Sequence, residues 1–80
     1  MQNLADRDID RREAEATLDA AEFTVPDESG RRILMRRYLD GLLEREMLLR
    51  VVIEETSTEV VVVTLYKTSQ IDKYIKGLAR

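Results

Sequence analysis

Apolar positions along this chain follow two different periods. In the first third, Ala14, Leu18 and Ala21 recur at i, i+4 and i+7, which places a narrow stripe of small side chains on one helical face. Asp10-Arg11-Arg12-Glu13 just before it has the form of a capping box, and Ile9 sits where a hydrophobic staple would. Residues 2 to 7 offer one or two turns of an earlier helix, followed by a tight turn at Arg7-Asp8-Ile9. Phe23 to Gly30 then brings β-branched, proline and turn residues, and it reads as a connector. From Arg31 the pattern becomes that of strands: Arg31 to Leu39, a turn at Asp40-Gly41, Glu46 to Glu55, a short turn at Thr56-Ser57-Thr58, and Glu59 to Lys67. Leu34, Tyr38 and Leu42 also fit a helical spacing, and Asp40-Gly41 decides for the hairpin. Met47 to Ile53 and Val60 to Tyr66 are apolar on both faces, as in strands covered on both sides. Ser69-Gln70-Ile71-Asp72 repeats the capping pattern, and Ile71, Ile75 and Leu78 form a second helical stripe that stops near Gly77. The prediction is α+β: two N-terminal helices, a three-stranded antiparallel sheet and a short C-terminal helix, with the Leu18 and Ile71 stripes packed on the sheet.

Composition changes that picture little and limits the chemistry more. Eighty residues with one proline and three glycines make a single domain, residues 1–80. A domain so small buries only about 60% of the surface its unfolded chain exposes, so a homodimer is expected. There is no cysteine and no histidine, which removes disulfides, thiolate nucleophiles and the usual general base. No apolar run approaches the roughly 20 residues that span a bilayer, and the N-terminus does not read as a signal peptide, so the expectation is a cytoplasmic protein without a membrane partner.

Charge is unevenly placed. Residues 1–30 carry three arginines against nine acidic residues, and residues 31–80 carry ten basic groups against seven acidic ones. A basic body suits nucleic acid, although a solvated surface of mixed charge is the commoner reason for such a distribution. Strand alternation puts Arg32 and Arg36 on one face and Arg31 and Arg37 on the other, so that one face could hold a phosphate-binding pair, with Arg32 and Arg36 the candidates. Arg50 interrupts an apolar strand and requires either a carboxylate partner or an anionic ligand. Tyr66-Lys67 ends the last strand beside the helix start at Ser69, where a phenol, an ammonium and free backbone N–H groups would converge on an anion. Glu54, Glu55 and Glu59 flank one turn and offer oxygen ligands to a hard cation, though solvated acids that discourage edge pairing are the more ordinary assignment. Phosphate loops and nucleophile elbows are lacking, and no cofactor is implied.

Gly30-Arg31-Arg32-Ile33, Met47 to Glu55, Glu59 to Ser69 and Ile71-Asp72-Lys73-Tyr74 together resemble a family of small prokaryotic proteins of unknown function. That family is similar to the BrnT toxins and, more distantly, to the RelE/ParE superfamily of type II toxin-antitoxin systems. The resemblance implies a RelE-like domain, a toxin-like role, an antitoxin protein as partner and RNA or the ribosome as target. It also implies metal-independent RNA cleavage, with Arg50, Tyr66 and Lys67 polarising a phosphate and Lys73 and Tyr74 as a second rank of nucleic-acid contacts, to which strand alternation adds Arg32 and Arg36. The superfamily's nucleases are usually strongly basic, whereas this chain has a pI near 4.9.

Overall fold

A computed structural model describes residues 9–78, and of Ser29 the backbone alone. Helix α1 (Arg11–Ala20) is followed by strands β1 (Phe23–Pro26), β2 (Arg31–Asp40), β3 (Arg45–Glu55) and β4 (Val60–Thr68), then by the short helix α2 (Ile71–Ile75). The four strands form one antiparallel sheet in the order β1-β2-β3-β4. This corrects the expected arrangement of two N-terminal helices and three strands. One helix precedes the sheet within the described residues, and the helix expected over residues 2 to 7 lies outside them.

The fourth strand is the segment that read as a connector. Phe23-Thr24-Val25-Pro26 alternates half-buried and exposed positions and pairs with Met35 to Arg32 of β2. Pro26 is compatible with this because β1 is an edge strand, where a residue without an N–H removes no interior ladder bond. A single 3-10 turn at Glu28–Gly30 leads into β2, with Gly30 at φ 76°.

Asp10 caps α1 as its sequence position suggests, its carboxylate accepting the Arg12 backbone N–H at 2.8 Å. The reciprocal half of the box is absent, because Glu13 instead accepts a hydrogen bond from Arg36 of β2. A charge-assisted bond to a guanidinium is roughly twice as strong as one between neutral groups, which explains the choice. The face that α1 lays on the sheet is Ala14, Thr17 and Ala21 rather than Ala14, Leu18 and Ala21. Thr17 is fully buried, and its hydroxyl donates to the Glu13 carbonyl at 2.9 Å, so burial leaves that polar group satisfied. Leu18 is rotated off the contact and is 40% exposed.

Central β3 is covered on both faces, as its sequence requires. Met47, Leu49, Val51 and Ile53 face α1 together with Leu34 and Tyr38 of β2. On the opposite face Leu48 and Met35 meet Ile75, with Ile33, Ile71 and Tyr74 packed around them. The apolar β4 departs from expectation, since it lies at the second edge and Val60 to Val63 are 38–52% exposed. Helix α1 packs over β2 and β3, and α2, at five residues, is too short to cover the far end of β4. A register shift opposite Val52 and Ile53 leaves Val63 as the extra residue of a bulge in β4. At α2 the expected Ser69 cap is absent: Gln70 takes the cap position without a side-chain bond, and Leu78 is exposed beyond Gly77. No helix among the described residues is long and apolar enough to cross a membrane.

Candidate functional site

Alternation along β2 divides its arginines as expected: Arg32 and Arg36 lie on the α1 face, Arg31 and Arg37 on the α2 face. Each faces a carboxylate. Arg31 meets Glu54 and Arg32 meets Glu55 across the β2–β3 ladder, while Arg36 meets Glu13 and Arg37 makes a two-pronged contact with Glu22 at 3.0 Å. Hydrogen bonds from the Arg37 side chain, then from its backbone N–H, lower the Glu22 pKa to about 2, so this carboxylate stays charged under almost all conditions. The arginines expected to hold phosphate are therefore occupied by the chain's own acids. Glu54 and Glu55, two of the three acids considered for a cation, are held in the same ladder.

Tyr66 and Lys67 do not converge. Lys67 pairs with Leu49 and lies on the α1 face, whereas Tyr66 pairs with Arg50 and lies on the α2 face. The Lys67 ammonium donates to Asp40 at 2.8 Å, with its side chain only 14% exposed. Asp40 is a buried junction: the same carboxylate accepts from the Tyr38 hydroxyl and from the backbone N–H groups of Leu42 and Leu43. The Lys67 hydrogen bond is the main reason its pKa falls to about 2, with the backbone donors adding to it. Burial, reinforced by the neighbouring Asp40 charge, raises the Tyr38 pKa well above that of a free phenol. This cluster ties the β2–β3 turn to the end of β4, and its charges are matched internally.

On the other face Arg50 occupies a different environment. Its guanidinium lies 4.0 Å from the Tyr74 ring centroid and 5.4 Å from that of Tyr66, donates to the Tyr66 hydroxyl, and directs Nε at the Met35 sulfur at 3.4 Å. No carboxylate among the described residues comes within 4.0 Å of it. A guanidinium has five N–H donors, and these contacts use two of them. Lys73, the residue before Tyr74 in α2, places Nζ 5.6 Å from the Tyr74 ring centroid. The structure thus assembles Arg50, Tyr66, Tyr74 and Lys73, and separates Lys67, Arg32 and Arg36 from them. The aromatic clamp around Arg50 could not be read from sequence, because Tyr74 reaches it only through the return of α2 over the sheet.

A second feature is the open edge of β4. Beside it, Ile9, Ala14, Leu18, Val51, Val62 and Leu65, together with the charged Arg11 and Glu15, line a mainly apolar groove of about 480 Å³ between α1 and the sheet. Its signal in the sequence is the uncharged run from Val60 to Tyr66, a pattern shared by covered strands and open edges. The chain matches no protein-family model, no curated protein and no solved structure in the comparisons made.

Proposed function

We propose that this domain acts by binding, as a small interaction module that accepts an additional β-strand along the edge of β4. One observation supports this reading above the others: seven consecutive uncharged residues, Val60 to Tyr66, lie on an open edge with all four valines exposed. An unpaired strand presents a row of backbone donors and acceptors, and a partner strand gains affinity from main-chain hydrogen bonds and specificity from alternate side chains. Val62 and Leu65 supply such side-chain contacts towards the groove beside α1. A second copy and an antitoxin protein are the partners that the sequence suggests, and either must bring an extended apolar segment. Titrating a peptide that copies residues 59–68 into isotope-labelled protein tests the reading. Chemical-shift changes confined to β4 amides and the adjoining groove are the expected result, and an unchanged spectrum overturns it.

Arg50 favours a second reading, a toxin-like RNA-binding domain. A guanidinium over the Tyr74 ring and hydrogen-bonded to the Tyr66 hydroxyl, with unspent N–H donors and no nearby carboxylate among the described residues, suits a phosphate or a nucleotide base. In that role Arg50, Tyr66, Tyr74 and Lys73 act from one face. RNA affinity that falls steeply with salt and is lost in Arg50→Ala would support it, and no binding at low salt would refute it.

A further inference from the structure

We propose that the strand accepted by β4 is the β4 of a second copy, so that two four-stranded sheets join through a two-fold axis into one continuous eight-stranded sheet. This rests on the reading of β4 as an interaction edge and names its occupant. The two edges of the sheet are built differently. β1 is four residues long and ends in Pro26, and both features discourage pairing. β4 is nine residues long, without proline, glycine or charge from Val60 to Tyr66, and therefore lacks the usual protections.

The absence of charge along this edge permits a second copy, and two-fold closure sets its direction. The chain carries a net charge of -3, so two copies repel, and they repel least when the contact itself carries no charge, as along this edge. Acidic Glu59 precedes the neutral run and basic Lys67, held by Asp40, follows it. Parallel addition would align Glu59 with Glu59, whereas antiparallel addition sets the two apart; Lys67 adds no attraction, because Asp40 already matches its charge. Antiparallel pairing of identical strands is also the arrangement that a two-fold axis closes, leaving no further β4 edge for a third copy.

The size of the contact sets the concentration at which to look. Nine residues extend about 30 Å, and the domain is 19 Å through its thinnest dimension. Because neither helix reaches fully across β4, an edge-on footprint is at most roughly 600 Å² per copy, below the roughly 800 Å² per partner of a standard interface. Light scattering over about 100 μM to 1 mM, the range that a contact of this size calls for, should rise to twice the 9.3 kDa chain mass. Val61→Lys and Val63→Lys, made separately, should return the mass to 9.3 kDa with an unchanged circular dichroism spectrum. Where a lysine variant fails to fold, amide exchange of the wild type at low and high concentration gives the same information, with β4 amides slowed only in the concentrated sample. A monomeric wild type overturns the proposal, as does a dimer that both lysine variants leave intact or concentration-independent exchange in β4. A monomer that still binds the 59–68 peptide at β4 overturns self-pairing and leaves strand addition standing, whereas a monomer that does not bind it overturns both.

Discussion

Replacing Arg50 with methionine separates a structural arginine from one kept for a ligand. Methionine retains the unbranched stem and the contact with Met35, and loses the charge. The Tyr74 ring, at 4.0 Å, and the Tyr66 ring, at 5.4 Å, lie within the range of cation–π attraction. At a half-buried site the nearer contact contributes about 1 kcal/mol and the farther about half that. The hydrogen bond to the Tyr66 hydroxyl adds about 1 kcal/mol. Desolvating the guanidinium costs something in return, so the net loss expected for Arg50→Met is about 2 kcal/mol. For a domain of this size that lowers Tm by about 10 °C. Urea unfolding followed by circular dichroism measures the loss directly. A double-mutant cycle with Tyr66→Phe should recover a coupling of about 1 kcal/mol for the hydrogen-bonded pair. Wild-type or greater stability in Arg50→Met would refute the account, because the aromatic clamp would then contribute nothing to the fold.

Three other outcomes follow from the same physics. Leu48→Ala, at a fully buried position on the α2 face of β3, should cost about 2–5 kcal/mol by leaving a cavity, measured by the same urea titration. Two backbone substitutions should act in opposite directions in thermal unfolding: Gly30→Ala at φ 76° should destabilise by about 1 kcal/mol although its Cβ would meet nothing within 4 Å, and Glu44→Gly at φ 55° should stabilise by a few tenths to about 1 kcal/mol. Glu22 and Asp40 both have folded-state pKa values near 2, below their ordinary values of 4.5 and 3.8. A lowered pKa means a contribution fully present above the ordinary value and lost as pH falls through the folded one, so stability should decline between about pH 5 and pH 2. Removing both carboxylates in Glu22→Gln, Asp40→Asn should flatten that decline in urea midpoints measured across the window.

What was legible in the sequence was the periodicity of the long elements. β2, β3 and β4 appear within a residue or two of their expected ends, because alternating and β-branched runs bounded by Asp40-Gly41 and Thr56-Ser57-Thr58 leave little freedom. β1 was not legible, since four residues ending in proline look like a loop until the ladder with β2 is seen. The exposure of β4 was hidden for a related reason. An apolar run with no preferred face fits a central strand and an uncovered edge equally well, and the choice depends on how far α1 and the five-residue α2 reach. The Leu18 stripe failed because Thr17 satisfies its hydroxyl within the helix and can be buried in place of a larger apolar side chain.

The candidate site shows the same distinction between local and tertiary information. Tyr66 and Lys67 are neighbours in the chain, and sequence proximity suggested one anion site. In a strand successive side chains leave on opposite faces, so that convergence was already excluded by the strand assignment itself. Lys67 then meets Asp40, a residue 27 positions earlier that β2 carries to the same corner. Tyr66 meets Arg50 across the β3–β4 ladder and Tyr74 closes over both, which depends on register and on the return of α2. Any chemistry this sheet performs through Arg50 must therefore occur on the α2 face without Lys67. A loss of RNA binding in Lys67→Ala, with Arg50→Ala unaffected, would place the nucleic acid on the α1 face instead and would remove the aromatic clamp from the site.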